Sequence, residues 1–250
     1  MITESVKIAK SAFIGDSVSI GDGSEIGEGV IIRDGVTIGK NCKIFPYAVI
    51  GEAPQDHSFA GEESFVEIGD NNSIREFVTI NKGVGEGSKT ILGNDNYIMA
   101  YSHLAHNVTV KNNVTIANSV QLAGHSFIDD YVNIGGLTAI HQGCKVGKLA
   151  MVSGMSATNK DLPPYFMFGL TPAIAATINR HGLKKYGFKN EVMNEIFKAF
   201  KIIYKSGIPL PQVIERLDEE LIKSEEIEYL IEFLRSSKRG IKLGRSALRV

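Results

Sequence analysis

Aliphatic residues recur at every sixth position over the first 155 residues of the chain. The position holds isoleucine from Ile2 to Ile50 without a break, returns in the same register over residues 68–80, and continues from Leu92 to Val152. A period of six fits neither the 3.6-residue turn of a helix nor the two-residue alternation of a single strand. Short strands separated by turns do fit it, so the pattern predicts a parallel β-helix whose coils stack their aliphatic residues inside.

Two neighbouring positions of the repeat support this prediction. Glycine often follows the aliphatic residue, as at Gly21 and Gly135, and we expect it to relax the turn. A small or β-branched residue, such as Val18 or Ala48, stands two positions before the aliphatic one. The chain thereby resembles the hexapeptide-repeat family. That resemblance implies a left-handed β-helix with three hexads, 18 residues, in each coil.

Both cysteines, Cys42 and Cys144, occupy the small inward position of the repeat. We therefore predict two buried thiols that serve as packing residues, and no disulfide between them.

The hexad pattern has two interruptions and one end. Residues 53–67 and 82–91 break the pattern, yet the register resumes on a multiple of six, so we predict loops ejected from the coil wall. Such loops are frequent places for binding residues. The period ends near residue 155, and Pro163 and Pro164 mark a boundary. We assign residues 1–160 to the β-helix domain and residues 161–189 to a linker.

Helical spacing replaces the hexads in residues 190–250. Apolar stripes suggest three helices, the first of which ends before Gly207 and Pro209. The three stripes are Val192, Ile196, Phe197, Phe200, Ile203 and Tyr204; Val213, Leu217 and Leu221; and Ile227, Leu230, Ile231 and Leu234. The predicted fold is therefore all-β with a small α-helical C-terminal domain.

Composition excludes several classes of protein. The 250 residues are 43% hydrophobic and 22% charged, with a net charge of −1, which gives no overall field for binding nucleic acid or an anionic membrane. No run approaches the roughly 20 apolar residues that span a bilayer, and the N-terminus lacks the apolar segment of a secretory signal. We expect a cytoplasmic protein without membrane insertion.

The histidines come together when the 18-residue coil is applied to the sequence. His106, Gly124 and Gln142 are 18 residues apart and form one column, with strands of neighbouring coils about 4.8 Å apart. His125 and His141 fall in the adjacent columns, and His103 lies three residues before His106. Four imidazoles therefore gather within roughly 10–15 Å.

Imidazole can accept a proton from a hydroxyl near neutral pH, so the cluster predicts acid–base chemistry. A zinc site is the first alternative, but no carboxylate or second cysteine joins the cluster at ligand spacing, and we predict neither a metal nor an organic cofactor. A non-catalytic β-helix scaffold is a further alternative, which leaves the histidine cluster unexplained.

Seven segments resemble one family in particular, the UDP-N-acetylglucosamine O-acyltransferases of lipid A biosynthesis. The segments are residues 51–56, 97–107, 122–125, 138–142, 161–165, 203–207 and 235–240. The resemblance covers nearly the whole chain. It implies transfer of an R-3-hydroxyacyl chain from acyl carrier protein to the 3-hydroxyl of UDP-GlcNAc, in the first step of lipid A biosynthesis.

The resemblance also implies roles for individual residues. His106 falls at the general-base position, and the N–H of Gly124 falls at the oxyanion-donor position. The positions expected to contact substrate are Asp56, His103, His125, His141, Gln142, Asn179 and Lys185. Gly154 falls at the position that limits acyl length, and a missing side chain there predicts a long chain, roughly 12–14 carbons, because each buried CH₂ is favourable by about 0.8 kcal/mol.

The chain departs from the family pattern at several nucleotide-contact positions. Asn107 replaces a frequent Asp, Ser58 a common Lys, His181 a Glu, and Lys185 with Tyr186 an Arg–Arg pair. A frequent Gly-Asn before Pro-Ala appears as Leu170-Thr171. These changes leave open an alternative reaction, N-acylation of a 3-amino nucleotide sugar with acyl carrier protein or acyl-CoA as donor.

Two expectations concern partners. Acyl carrier protein is acidic, and the C-terminal residues offer a basic docking face made of Arg235, Lys238, Arg239, Lys242, Arg245 and Arg249. The family forms homotrimers with sites between neighbouring chains, so we expect His106 of one chain to face Asp56 of another.

Overall fold

The computed structural model describes residues 2–243. It contains 25 strands and four helices in that range. The strands are β1 (Lys7–Ile8), β2 (Phe13–Ile14), β3 (Ser19–Ile20), β4 (Glu25–Ile26), β5 (Ile31–Ile32), β6 (Val36–Ile38), β7 (Lys43–Ile44), β8 (Val49–Glu52), β9 (Phe65–Ile68), β10 (Ser73–Ile74), β11 (Thr79–Asn81), β12 (Lys89–Leu92), β13 (Tyr97–Ile98), β14 (His103–Leu104), β15 (Thr109–Val110), β16 (Thr115–Ile116), β17 (Gln121–Leu122), β18 (Phe127–Ile128), β19 (Asn133–Ile134), β20 (Ala139–Ile140), β21 (Lys145–Val146), β22 (Met151–Val152), β23 (Ala157–Thr158), β24 (Phe166–Gly169) and β25 (Ile174–Ile178). The helices are α1 (Arg180–Lys185), α2 (Asn190–Lys205), α3 (Leu210–Glu220) and α4 (Glu225–Arg235).

From β1 to β23 every third strand belongs to the same sheet and pairs in parallel, so the chain winds round three sheets as a left-handed β-helix. Sheet 1 runs from β1 to β25 with ten strands, sheet 2 from β2 to β23 with eight, and sheet 3 from β3 to β21 with seven. The hexads therefore correspond to one strand and one turn each, and the predicted fold is confirmed.

The two ejected loops lengthen their coils by whole hexads. Strand partners are 18 residues apart in most coils, as for Glu25 and Lys43, but Val49 pairs with Thr79 and Thr79 pairs with His103. The extra residues leave the wall between β8 and β9 and between β11 and β12. Each loop adds a multiple of six residues to its coil. The inward-facing aliphatic residues of the coils above the loop therefore stay in register with those below it.

The inner columns form a continuous apolar core. From Ile20 upward the aliphatic residues of the repeat are nearly inaccessible to solvent, and Cys42 and Cys144 are buried free thiols in the small column, as predicted. In the first coil, Ile2 and Ile8 have exposed fractions of 40% and 39%, and Ile14 is half-buried. The first coil has no coil beneath it, so its aliphatic residues lack the contacts that bury the others.

Most repeat glycines act differently from our expectation, although Gly51 does have a positive φ of 83°. We expected the glycine after the aliphatic residue to relax the turn, yet Gly21 and Gly27 do not have a positive φ. A Cβ on Gly21 would lie 2.7 Å from the backbone carbon of Gly39, and one on Gly27 would lie 2.9 Å from the Ile44 oxygen. These glycines are therefore required by close approach of the next coil. The left-handed turn residue comes two positions later and is often not glycine, as with Asn107 at φ 58°.

The segment 161–189, expected as a linker, contains β24, β25 and α1. Strand β24 extends sheet 1 in parallel from β22, and β25 pairs with it in the antiparallel direction. Phe166 and Phe168 alternate with Met167 and are buried, so this hairpin covers the last coil of the β-helix. The period of two in these few residues is too short to separate from irregular chain in the sequence.

The C-terminal helices follow the predicted stripes. Helices α2, α3 and α4 bury most apolar positions of the three stripes and pack on one another, with Val192 and Phe197 half-buried and Leu221 just after the end of α3. Phe200 and Tyr204 of α2 contact the ring of Phe166, and Tyr229 of α4 donates a hydrogen bond to Asp129 of the β-helix. The helical domain is thus joined to the upper coils through both apolar and polar contacts.

Replacing an aliphatic residue in the middle of the stack should destabilise the protein far more than the same change at the first coil. Ile116→Ala removes a side chain with 0% exposure, so the free energy of unfolding should fall by about 2–5 kcal/mol. Ile8→Ala is the matched control at the same repeat position and should cost less than about 1 kcal/mol. Denaturant unfolding of both variants measures the difference, and equal losses would contradict this account of the core.

Candidate active site

The turns from sheet 2 to sheet 3 form one edge of the β-helix, and the predicted histidine column lies on it. His106, Gly124 and Gln142 occupy this edge on successive coils. The His125 N–H donates to the His106 carbonyl at 3.0 Å, and the Gly143 N–H donates to the Gly124 carbonyl at 2.9 Å. The backbone therefore holds the column in the spacing that the sequence predicted.

The His106 imidazole packs directly against Gly124. A Cβ on Gly124 would collide with the ring at Cε1 and Nε2, so the position requires glycine because of close approach. His106 is only 7% exposed. No acceptor among residues 2–243 takes the Gly124 N–H. A buried imidazole and a backbone donor without a protein acceptor thus stand side by side.

The two ring nitrogens of His106 have different neighbours. Nδ1 lies 2.9 Å from Oδ1 of Asn107, and Nε2 lies 3.3 Å from Oδ2 of Asp56. Asp56 belongs to the same chain, so the expectation that His106 would face Asp56 of another chain is wrong. The first ejected loop folds back over its own coil edge, which sequence spacing alone did not reveal.

Ser58 fixes the Asp56 carboxylate in place. Oδ1 of Asp56 accepts from the Ser58 hydroxyl at 2.6 Å and from the Ser58 N–H at 2.8 Å. These two bonds, followed by smaller contributions from His106 and His57, hold the pKa of Asp56 below its usual value. Asp56 is therefore an ionised acceptor at neutral pH, and Ser58 has a clear role despite its departure from the family pattern.

The neighbouring histidines surround His106 as neutral side chains. Nδ1 of His103 lies 2.7 Å from the Thr79 hydroxyl, and the ring of His125 meets the ring of His106 edge-on at 5.2 Å. Burial and then the proximity of His106 lower the pKa of His103 and of His125, with Asp56 opposing the shift at His125. Both are uncharged at neutral pH and do not compete as cations for Asp56.

His141 and Gln142 are exposed at the top of the column. Nδ1 of His141 lies 3.3 Å from the Gln142 carbonyl oxygen. Sequence reasoning missed Thr79 and Val84, which hold site residues in place, and it named Ser58 only as a departure from the family pattern. Thr79 could have been found, because it lies one coil below His103 once the extra hexad of the second ejected loop is counted.

A shallow apolar groove of about 440 Å³ runs along the outer face of sheet 2 above the histidines. Its floor consists of small side chains, since Ala139 and Ala157 are partners on neighbouring strands and Ala123 lies beside them. Thr171 and Pro172 close its upper end. Gly154 lies on the turn from sheet 1 to sheet 2, along the opposite border of the same face. The site thus combines a polar corner with an apolar channel.

Two predicted substrate contacts lie elsewhere in the chain. Asn179 is 4% exposed, and its amide donates to the Leu149 carbonyl and accepts from the Gly182 N–H, so it caps helix α1. Lys185 is exposed at the end of α1, with Nζ 5.3 Å from the centroid of the Tyr186 ring. Both flank the edge from sheet 3 to sheet 1, and a single chain does not bring them to His106.

Within residues 2–243 there is no group of three or more histidine, cysteine or acidic side chains that could hold a metal ion. Over the same range, no helix has the length and apolar character needed to cross a bilayer.

Comparison with known proteins places this geometry in context. Residues 161–242 match the family described as UDP N-acetylglucosamine O-acyltransferase, domain 2. Residues 5–40, 18–52 and 89–124 match the bacterial transferase hexapeptide, six repeats. The acyl-[acyl-carrier-protein]–UDP-N-acetylglucosamine O-acyltransferase of Janthinobacterium sp. (strain Marseille) is 43% identical over 204 residues, which cover 80% of this chain and 78% of that protein.

Solved structures agree along nearly the full length. The UDP-N-acetylglucosamine acyltransferase of Bacteroides fragilis 9343 superposes with a TM-score of 0.83 at 40% identity, covering 97% of this chain and 100% of that one. The enzyme of Francisella novicida gives a TM-score of 0.88 at 36% identity, covering 98% and 95%. The hexad register, the histidine column and the helical tail therefore have one common explanation: this chain belongs to the UDP-N-acetylglucosamine O-acyltransferase family.

Proposed function

We propose that this protein transfers an R-3-hydroxyacyl chain from acyl carrier protein to the 3-hydroxyl of UDP-N-acetylglucosamine, the first step of lipid A biosynthesis. The observation that carries the proposal is the contact between the His106 imidazole and Gly124, whose N–H no described residue accepts. Acyl transfer needs a base at the attacking oxygen and a donor at the developing oxyanion, and this pair supplies both within a few ångströms.

The two ring nitrogens of His106 have different roles in the proposed reaction. With the Nδ1 proton directed at Asn107, Nε2 is free to accept the proton of the sugar hydroxyl. The hydroxyl oxygen then forms a bond to the thioester carbon. The carbonyl oxygen becomes negatively charged and accepts a hydrogen bond from the Gly124 N–H. As the carbon–sulfur bond breaks, the imidazolium returns its proton to the sulfur, which leaves as the thiol of the carrier.

Asp56 and the neutral histidines position the acceptor sugar in this proposal. Oδ2 of Asp56 lies 3.3 Å from His106 Nε2, so a substrate hydroxyl or amide placed beside this pair can donate to the carboxylate. His103 and His125 border the same space and present neutral rings, each of which can donate or accept a hydrogen bond. His141 and Gln142 extend the polar edge by one coil.

The apolar groove on sheet 2 suits the acyl chain. Its lining of alanines gives a smooth channel that begins beside His141 and leads away from the polar corner. Gly154 borders the same face without a side chain, and a Cβ there would lie 3.1 Å from the carbonyl oxygen of Gly136. Gly154 is not among the residues that line the groove itself, and in this proposal a side chain at Gly154 limits how far the acyl chain extends along the face.

A cationic cluster beside Gln142 suits an acidic carrier protein. The side chain of Lys145 donates to the Ser236 carbonyl, that of Lys160 to the Arg239 carbonyl, and that of Arg239 to the Gln142 carbonyl. The C-terminal segment thereby places Arg239 at the edge from sheet 2 to sheet 3, the edge on which His106 and Gly124 lie. Lys145 and Lys160 belong to the β-helix, so the proposed docking face combines both domains.

Two of the basic residues predicted for carrier docking, Arg245 and Arg249, lie outside the described residues. The docking proposal therefore depends on the cluster beside Gln142.

Exposed aromatic residues support assembly into a trimer. Tyr47, Phe77 and Tyr101 stack along the edge from sheet 1 to sheet 2, with ring centroids 5.3 and 5.0 Å apart, and are about half exposed. Ser119 occupies this position on the coil above Tyr101, and Leu137 and Met155 are exposed apolar residues on the next two coils. Burial of this line against another copy would remove it from water. It would also allow Lys185 of a neighbouring chain to approach the site that its own chain does not reach.

Replacing the proposed base should remove turnover without altering the fold. His106→Ala leaves no group to take the hydroxyl proton, so kcat should fall by at least about 100-fold. The assay combines 3-hydroxyacyl carrier protein or acyl-CoA with UDP-N-acetylglucosamine or its 3-amino analogue, and mass spectrometry identifies the product. Circular dichroism checks the fold. Activity near that of the unaltered protein would exclude His106 as the base, and exclusive use of the amine would overturn the O-acyl assignment.

Adding a side chain at Gly154 should shift the acyl-chain preference. Gly154→Met should favour shorter chains than the roughly 12–14 carbons expected for the unaltered protein, because each excluded CH₂ forfeits about 0.8 kcal/mol of burial. Gly154→Ala adds one methyl group and should produce a smaller shift. Products formed from a mixture of chain lengths are compared by mass spectrometry. An unchanged chain profile in both variants would refute the assignment of Gly154.

The proposed trimer should be visible in solution. Sedimentation velocity should give three times the 27.2 kDa mass of the chain. Tyr101→Glu places a charge in the exposed aromatic line and should lower the trimer fraction. A fully active monomer would contradict the proposed assembly.

A further inference from the structure

Asn107 has each of its polar side-chain atoms engaged by one residue of the second ejected loop. Its Oδ1 accepts from the Val84 N–H at 2.9 Å, and its Nδ2 donates to the Val84 carbonyl at 3.2 Å. The Asn107 N–H donates to the buried hydroxyl of Thr90 at 2.9 Å. The Asn107 amide is therefore fixed both at its backbone and at its side chain.

This pairing determines which way the amide faces. An inverted amide would set its NH₂ against the Val84 N–H and its oxygen against the Val84 carbonyl, so only one orientation satisfies both groups. In that orientation Oδ1 lies 2.9 Å from Nδ1 of His106. An amide oxygen can only accept, so Nδ1 must carry a proton. Oδ2 of Asp56 also accepts but lies farther from the ring, 3.3 Å from Nε2, so Nε2 is the nitrogen left without a proton when the ring is neutral.

We propose that Asn107 and the backbone of Val84 are positioning residues that fix the tautomer of His106, so that the second ejected loop prepares the base for catalysis. The inference rests on the proposed function of His106. It assigns to residues 82–88 a role in the reaction that does not require contact with substrate.

The pairing of the Asn107 side chain with the Val84 backbone, called the clamp below, also explains why this position holds asparagine. An aspartate would place a carboxylate oxygen against the Val84 carbonyl, with no proton to share, and only an amide satisfies the N–H and the carbonyl of Val84 together. The charged and titratable groups that face His106 are Asp56 from the first ejected loop and His103 and His125 from the coils, with His57 beside Asp56. Asn107 orients the ring without adding a second negative charge.

The pH dependence of catalysis distinguishes an effect of residue 107 on the orientation of the His106 ring from an effect of its charge. In Asn107→Asp the added carboxylate favours the imidazolium form, so the acidic limb of the kcat/KM profile should move to higher pH by about one unit. In Asn107→Leu the tautomer is no longer fixed, so kcat should fall about 100-fold with little change in KM. Circular dichroism and thermal unfolding check the fold. The proposal would be overturned if the acidic limb of the kcat/KM profile stayed at the same pH in Asn107→Asp and kcat were unchanged in Asn107→Leu.

Substitutions at Val84 test the clamp without touching the Asn107–His106 pair. Val84→Pro removes the N–H, whereas Val84→Ala keeps it, so the loss of kcat must be larger in the proline variant. Glu86→Ala, an exposed change in the same loop, should leave kcat unaltered. ¹⁵N NMR of labelled histidine reads the tautomer directly and should show the Nδ1–H form of His106 in the unaltered protein and a mixture in Asn107→Leu. The Nε2–H form in the unaltered protein would refute the inference.

Failure of the inference is distinguishable from failure of the proposed function. If His106→Ala remains active, the assignment of the base is wrong. If His106→Ala is inactive but the tautomer and pH profile do not respond to Asn107 and Val84, His106 remains the base and only the clamp is refuted.

Discussion

The hydrogen bonds between successive coils are the constraint on which the rest of this structure depends. Each strand contributes only two to four residues in most coils, too few to be stable alone, and becomes a strand because segments with the same hexad pattern lie above and below it. The same bonds extend into the turns, where His106 and Gly124 each accept from the coil above. The column formed by His106, Gly124 and Gln142 thus acquires the rigidity of a sheet.

Close stacking also explains the distribution of glycine. Gly21 and Gly27 are needed because the next coil passes over them, and Gly124 is needed because an imidazole lies against it. The left-handed turn positions tolerate larger residues, so the chain can place Asn107 and His125 there and use them at the site. The repeat therefore requires glycine where the next coil passes closely, and the left-handed turn position two residues later can hold a polar side chain.

The ejected loops add what a regular β-helix does not supply. A uniform stack presents only straight columns, and residues in one column cannot approach a side chain from a second direction. The first loop returns Asp56 to Nε2 of His106, and the second brings Val84 to Asn107 on the other side of the ring. Since both insertions are whole hexads, these additions leave the core in register.

The sequence by itself determined the fold and the histidine column. Both depend on periodicity: the six-residue repeat predicts the coils, and residues 18 apart, such as His106 and Gly124, must lie one above the other. Thr79 was within reach of the same arithmetic once the inserted hexad was counted. The helical stripes after residue 190 followed from spacing in the same way.

Only the tertiary structure decided how the irregular segments meet the regular ones. The contact of Asp56 with His106 in its own chain, the anchoring of Asp56 by Ser58 and the pairing of Asn107 with Val84 all depend on loop paths that no period encodes. The burial of Asn179 as a helix cap likewise depends on where β25 ends against the last coil. Periodic contacts repeat a local rule and can be read from spacing, whereas these contacts each arise once, from the packing of the whole chain.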